Sequence, residues 1–306
     1  MSEHGKVLVA GATGYIGRLL ARELAEEGRD VRCLVRDRSR AEDLADAGCE
    51  LVVGDVLAPD TLRPALRDVR VAYYLVHSMG RGASDGDFAT RDRAAAENFG
   101  TAASEAGVEL IVYLGGLSEG GSRHLTSRHE TAEVLRSSGV PVTYFRAAAV
   151  IGAGSESFLL TLYLVRRLPV MVTPKWTAVR TQPIAIADVL RYLLQAPEVS
   201  EAHGREIEIG GPDVTTYAGM MDACAEAIGI RSRPRIPVPL LTPWLSSLWV
   251  GLVTPVDVGV ARPLIEGAES ETIVGDPSGM ELFEVSPVTL EEAMRAAVLE
   301  AEADGV

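Results

Sequence analysis

Between a short apolar run and the first helical pattern, the chain reads Gly11-Ala12-Thr13-Gly14-Tyr15-Ile16-Gly17. The run before it, residues 7–10, is typical of a buried strand, and helical spacing follows over residues 15–27. In such a unit the first glycine permits a tight turn and the second lets backbone N–H groups approach a pyrophosphate. The third glycine lets helix and strand pack closely. We therefore predict a phosphate cradle formed by residues 11–17.

Strand and helix patterns continue to alternate through the first half of the chain. Short apolar, β-branched runs cover residues 7–10, 31–35, 51–53, 71–76, 110–114 and 142–145. Helical spacing covers residues 15–27, 38–47, 59–66, 87–106 and 124–137. Six buried strands separated by helices predict an α/β fold, a Rossmann-type doubly wound parallel sheet.

The alternation breaks after the sixth strand, which indicates a second unit. We predict a nucleotide-binding domain over residues 1–152, to which residues 179–200 return, and a smaller mixed α/β substrate lobe over residues 153–306. The lobe is expected to contain a strand at residues 206–209. It is also expected to contain a final helix that begins with the capping box Thr289-Leu290-Glu291-Glu292.

Composition and charge limit the classes of protein to which the chain can belong. Of its 306 residues 47% are hydrophobic and 24% charged, which is enough for a large core and excludes a disordered chain. The net charge of −14 argues against a broad nucleic-acid or anionic-membrane surface, and we expect no nucleic-acid partner. Cys33, Cys49 and Cys224 lack metal-ligand spacing, so we expect buried thiols and no metal site. No signal-peptide pattern precedes the first strand, and the expected location is cytoplasmic.

The longest uncharged run, residues 236–256, has the length of a membrane span. Its four prolines leave a helix over residues 242–253 at most, so we predict no transmembrane segment. We expect instead a buried helix that lines an apolar substrate pocket, with Trp244, Leu248 and Leu252 along one face. A weak contact with a membrane surface is the alternative.

The residue after the second strand indicates which nucleotide the glycine loop holds. A site selective for NAD has a carboxylate there for the ribose hydroxyls, whereas a 2′-phosphate requires a guanidinium. Arg36 occupies this place and predicts NADP(H), while the neighbouring Asp37 keeps NAD(H) as the alternative. Further cofactor contacts are expected where the third and fourth strands end, from Asp55, Val56, Val76, His77 and Ser78.

Several stretches resemble the short-chain dehydrogenase/reductase superfamily, in its extended and atypical NmrA-like branches. Residues 11–17 match that branch's G-x-x-G-x-x-G pattern, and residues 110–114, 142–147 and 181–188 match further blocks. Residues 73–80, Tyr-Tyr-Leu-Val-His-Ser-Met-Gly, look like a bacterial subgroup of NAD(P)-binding proteins. The resemblance implies a Rossmann fold and a cofactor site that extends to Ala147 at the end of the sixth strand.

The chain departs from this family at the catalytic residues. The family's usual set is a serine after the fifth strand and a Tyr-x-x-x-Lys pair on the next helix, in which the tyrosine passes a proton to the carbonyl. Here His124 stands at the tyrosine position, Arg128 at the lysine position, and Leu117, beside Ser118, at the serine position. Arg128 is expected to bind ribose or phosphate. His124, His77 and Ser118 are the catalytic candidates, and a structural role is the alternative for both histidines.

Three functions are compatible with these residues. The first is an NADP(H)-dependent oxidoreductase with a nonstandard proton donor, acting on a small apolar carbonyl, quinone or enone. The second is a non-catalytic NADP(H)-binding sensor or assembly module, which the missing serine, tyrosine and lysine favour. The third is an epimerase or dehydratase that oxidises and reduces its cofactor transiently.

Overall fold

The computed structural model of the chain describes residues 5–77, 88–117, 123–238, 242–256 and 258–305. Its strands are β1 (Lys6–Ala10), β2 (Asp30–Val35), β3 (Glu50–Val53), β4 (Val69–Tyr74), β5 (Leu110–Gly116), β6 (Val142–Ala147), β7 (Val150–Ile151), β8 (Met171–Thr173), β9 (Arg180–Thr181), β10 (Ile184–Ala185), β11 (Glu206–Ile209), β12 (Thr215–Thr216) and β13 (Arg235–Pro237). Its α-helices are α1 (Tyr15–Glu26), α2 (Glu42–Asp46), α3 (Leu62–Ala65), α4 (Phe88–Ala106), α5 (Arg123–Arg136), α6 (Glu156–Arg167), α7 (Ile186–Gln195), α8 (Tyr217–Ala227), α9 (Pro243–Val253), α10 (Val258–Gly267) and α11 (Leu290–Ala303).

Seven parallel strands form the central sheet in the order β11-β6-β5-β4-β1-β2-β3. The predicted Rossmann-type doubly wound sheet is therefore confirmed, with one strand more than the first half of the sequence indicated. The additional strand is β11, which pairs with β6. It follows the segment 179–200, which was expected to return to the nucleotide-binding domain. The strand order reverses between β1 and β4, where sheets of this type open a crevice for ligands.

Apolar clusters cover both faces of the sheet. On one face α1 and α7 pack together over β1, β2 and β4, and the Tyr73 hydroxyl donates to the carbonyl of Leu193 in α7 at 2.8 Å. On the other face α3, α4 and α5 cover the same strands through side chains such as Phe99 and Leu135. The sheet is thus fixed from both sides, and its carboxyl edge is held in a defined position.

A third cluster forms the core of the second lobe, in which α6, α8, α9, α10 and α11 pack around buried side chains such as Phe158, Met220 and Met294. The predicted capping box is present, because the Thr289 hydroxyl accepts from the Glu292 N–H and the Glu292 carboxylate accepts from the Thr289 N–H. Within the described ranges, every helix is too short or too polar to cross a bilayer.

Candidate active site

The glycine loop between β1 and α1 has the geometry that its sequence predicts. Gly11 adopts a positive φ of +91°, and a Cβ there would lie 2.4 Å from the carbonyl oxygen of Leu75. A Cβ at Gly17 would lie 2.3 Å from the carbonyl oxygen of Gly11. The Gly14 N–H donates to this same carbonyl at 3.0 Å and closes the turn at the start of α1. This close-packed turn at a helix N-terminus is suited to an anionic phosphate.

One cavity of about 450 Å³ extends from this loop into the second lobe. Its first part is bounded by the loop and by the segments that follow β4, β5 and β6, including Leu75, Leu117 and Ala148. Its second part is bounded by Leu160 of α6, Met221 of α8 and other side chains of the lobe. A nucleotide on the loop and an apolar molecule in the lobe would therefore occupy one continuous space.

The cavity brings together part of the residues that were predicted from the sequence. Those that line it are Gly11, Gly14, Tyr15, Ile16, Gly17, His77, Arg128 and Ala147. Predicted cofactor contacts that lie outside its lining are Ala12, Thr13, Arg36, Asp55, Val56 and Val76. Ser78 and Ser118 fall outside the described residues, and so does the side chain of His124, whose backbone belongs to α5.

The prediction that residues 236–256 line the apolar pocket is wrong for the side chains that the structure describes. None of them borders the cavity, and Trp244, which was expected to face it, is 56% exposed. Among the side chains of this helix that the structure describes, Ser246, Ser247 and Val250 are buried. Helix α10 borders the cavity instead, and α9 packs against α6 and α10. The side chains of Leu248 and Leu252 lie outside the described part.

Arg36 and Asp37 follow β2 at the carboxyl edge of the sheet, as predicted, and they differ in their contacts with the rest of the protein. Arg36 is exposed. The Asp37 carboxylate accepts from the N–H and the hydroxyl of Ser39, at 3.0 and 2.8 Å, and caps a short 3-10 helix. Asp37 therefore stabilises the local backbone, whereas the side chain of Arg36 forms no hydrogen bond or ion pair with the residues that the structure describes.

Arg128 reaches the cavity from α5 and is held at the end of β5. Its Nη2 donates to the Leu114 carbonyl at 3.1 Å, and its own carbonyl accepts from the Tyr113 hydroxyl. Its Nε is buried and has no hydrogen-bond partner among the described residues. A buried donor of this kind requires an acceptor, since leaving it unsatisfied costs about 1–3 kcal/mol. Arg128 and the glycine loop therefore fit a phosphorylated nucleotide with ribose hydroxyls, and NADP(H) or NAD(H) has this chemistry.

His77 follows β4 and keeps exposed surface because it lines the cavity. The protein atoms around this cavity still desolvate the imidazole, and the positive charge of Arg128 adds to the effect. Together they lower the pKa of His77 from 6.5 to about 4. The imidazole is therefore neutral near pH 7, and the pH range in which it could act as an acid is well below the one expected from an ordinary histidine.

This pKa gives a prediction for stability. The folded chain does not protonate His77 between pH 6.5 and about 4, whereas the unfolded chain does. The free energy of unfolding is therefore expected to decrease as the pH falls through this range, and to decrease less in His77→Asn. Chemical denaturation at several pH values measures both slopes. Equal slopes in the two proteins would contradict the assigned shift.

Most of the residues that form the cavity wall in the second lobe were not predicted from the sequence. The unpredicted wall residues include Leu160, Thr161, Trp176, Tyr217, Met220, Met221, Pro263, Leu264 and Ile265. Helical spacing predicts that such side chains are buried, but it carries no signal for which of them border an internal space.

One corner of this wall carries hydroxyl groups. Burial raises the pKa of Tyr217, while hydrogen bonds with Thr272 and Thr181 oppose the shift. The Thr272 hydroxyl donates to that of Thr181 at 2.8 Å, and the Trp176 ring packs edge-on against Tyr217. The second part of the cavity is thus apolar, with a small polar corner.

Other proteins are similar in sequence to this chain over its nucleotide-binding half and over part of the second lobe. Residues 11–157 match the family described as NAD(P)H-binding. Photosystem II assembly factor Ycf39 of Cyanophora paradoxa is 28% identical over 242 residues, which cover 77% of this chain and 73% of that protein. A ceramide reductase of Caulobacter vibrioides is 27% identical over 272 residues, which cover 85% and 84% of the two chains.

Solved structures show the same fold. The Bordetella bronchiseptica enzyme WbmH in complex with NAD+ aligns with a TM-score of 0.74 at 18% identity, over 99% of this chain and 100% of that one. The NADPH-dependent quinone oxidoreductase QOR2 of Escherichia coli, complexed with NADPH, aligns with a TM-score of 0.73 at 18% identity, over 94% and 98%. Residues 11–157 are therefore similar to the NAD(P)H-binding family, and the chain has the same fold as both solved structures.

Proposed function

We propose that the protein is an NADP(H)-dependent oxidoreductase that acts on an apolar carbonyl, quinone or enone. The continuous cavity carries this proposal, because it joins the phosphate-binding loop to the apolar wall of the second lobe. A relative named ceramide reductase, similar over most of its length, supports a reductive reaction.

Different residues along this cavity would bind the cofactor, hold the substrate and donate the proton. Backbone N–H groups of the glycine loop bind phosphate, and Arg128 supplies its buried Nε to a ribose hydroxyl or phosphate oxygen. Bound NADPH supplies the hydride. The apolar side chains of α6, α8 and α10 exclude water and hold the substrate beside the ends of β4, β5 and β6. His124 is the candidate proton donor, since His77 is neutral near pH 7.

The preference for NADP(H) rests on Arg36. An exposed guanidinium at the end of β2 is suited to the 2′-phosphate, and Asp37 is occupied with Ser39. Arg36→Ala is expected to remove a charge-assisted contact of about 1.5–3 kcal/mol, which weakens NADPH binding roughly 10- to 150-fold. NADH binding should be unchanged, and so should NADPH binding by the matched surface variant Arg67→Ala. Fluorescence titration measures these affinities, and equal NADPH and NADH affinities in the wild type would reject the preference.

A non-catalytic assembly module is the second candidate. The replacement of the usual serine, tyrosine and lysine favours it, and so does the similarity to proteins named photosystem II assembly factor. Oxidation of NADPH upon addition of long-chain ketones, quinones or enones separates the two. Turnover supports the reductase, whereas NADPH binding without turnover on any of these classes favours the assembly module.

A further inference from the structure

Two segments of the second lobe have a charge opposite to that of the chain as a whole. Residues 157–187 contain four lysines or arginines and residues 227–256 contain three, and neither segment contains an aspartate or glutamate. The net charge of the whole chain is −14. Strands β8 and β13, one from each segment, pair in parallel with Ile236 opposite Val172. The two basic segments therefore meet at this strand pair.

Four cations of these segments form no ion pair with a carboxylate of the described residues. Lys175 and Arg231 are exposed. Arg167 donates to the carbonyl of Val253 at 3.1 Å, and Arg233 donates to the carbonyl of Val165 at 3.2 Å. Backbone carbonyls leave the positive charge of both guanidinium groups uncompensated, so all four charges are available to an anionic partner.

The same two segments expose large apolar side chains. Ile236 on β13 is 55% exposed, Trp244 at the start of α9 is 56% exposed, and Val170 just before β8 is 38% exposed. Helix α9 contains no charged residue along its eleven positions. Exposed aliphatic and tryptophan side chains next to lysine and arginine are the combination that binds the interface of an anionic bilayer.

We propose that this surface, formed by β8, β13 and the first turn of α9, docks on a membrane that contains anionic phospholipid. The cations meet the phosphate headgroups, and Ile236 and Trp244 enter the interface. A lipid surface fits better than an acidic protein, because the charges are spread over two segments and accompany apolar side chains that a bilayer accepts at any position.

Docking would also place the cavity next to the bilayer. Leu160 and Trp176 of the cavity wall belong to the first basic segment. An apolar substrate dissolved in the membrane would then lie close to the lobe that receives it. This last step rests on the proposed function, whereas the docking itself does not.

The test is sedimentation of the full chain with vesicles of phosphatidylcholine, with and without phosphatidylglycerol. We expect binding only with the anionic lipid, and weaker binding as salt increases. Lys175→Gln and Arg231→Gln should each weaken it about fivefold, and Trp244→Ser about tenfold. Leu299→Ser, at a 67% exposed position on α11, and Arg67→Gln are the matched controls and should bind like the wild type.

Three results would overturn the docking proposal. The first is equal binding to both kinds of vesicle, and the second is equal binding by Trp244→Ser and by the control Leu299→Ser. The third is a larger species that forms without lipid and that Trp244→Ser dissociates, which would make this surface a protein interface. NADPH affinity, measured on the same variants, shows that each is folded. An absence of NADPH turnover would reject the proposed function and leave a positive vesicle result intact.

Discussion

Gly17→Ala is expected to lower the affinity for NADPH and NADH at least about 100-fold, which corresponds to about 2.7 kcal/mol. A methyl group at this position would lie 2.3 Å from the carbonyl oxygen and 2.9 Å from the carbonyl carbon of Gly11. Both atoms are backbone, so a side-chain rotation cannot relieve the contact. The loop has to move away from the start of α1, and its N–H groups then lose their alignment with the phosphates.

Gly28→Ala is the matched control for this substitution. Gly28 follows the same helix with a φ of +78°, and a Cβ there would meet nothing within 4 Å. It is expected to cost about 1–2 kcal/mol of unfolding free energy through backbone strain alone, and to leave NADPH affinity unchanged. Fluorescence titration and chemical denaturation measure the two quantities. Wild-type cofactor affinity in a folded Gly17→Ala protein would show that the loop does not hold the nucleotide.

Leu264→Trp is expected to reduce kcat/KM for a long-chain ketone about 10- to 50-fold. Leu264 lies on α10 and borders the second part of the cavity, so a larger ring fills space that the apolar chain of the substrate would occupy. The larger ring would prevent two or three methylene groups of the substrate from being buried. Each buried methylene group contributes about 0.8 kcal/mol of binding free energy, which accounts for this factor. NADPH affinity and turnover of a short ketone should remain at wild-type values, because the glycine loop lies at the other part of the cavity.

Leu299→Trp on the exposed side of α11 is the control for this second substitution, since it adds the same ring away from the cavity. It should keep the wild-type kcat/KM for both ketones. An equal loss for short and long ketones in Leu264→Trp would indicate general damage to the lobe. Unchanged turnover of the long-chain ketone would remove α10 from the substrate site.

The fold and the cofactor loop could be predicted from the sequence because their signals are local. Gly17 is required by a contact within one turn and Gly11 by its positive φ, and the alternation of strand and helix patterns specifies a parallel sheet. The seventh strand illustrates the limit of such signals. Residues 206–209 have the pattern of a strand, but their place beside β6 is a long-range pairing that no local pattern encodes.

The substrate side could not be predicted in the same way. The uncharged run 236–256 indicates an apolar environment, yet the same pattern is compatible with a protein core, a cavity wall or a membrane surface. Packing decided that Val250 is buried and Trp244 exposed. The low pKa of His77 likewise depends on desolvation by the surrounding protein and then on the charge of Arg128, which lies about fifty positions further along the chain and reaches the same cavity from α5.

Transfer of deuterium tests most directly whether nucleotide and apolar substrate meet in one cavity. The measurement uses NADPH deuterated at C4 of the nicotinamide and a long-chain apolar ketone, with mass spectrometry of the alcohol formed. We expect deuterium on the former carbonyl carbon from one of the two C4 epimers of the cofactor, and its loss with Gly17→Ala. Bound NADPH that delivers deuterium to no ketone, quinone or enone would contradict the proposed reaction.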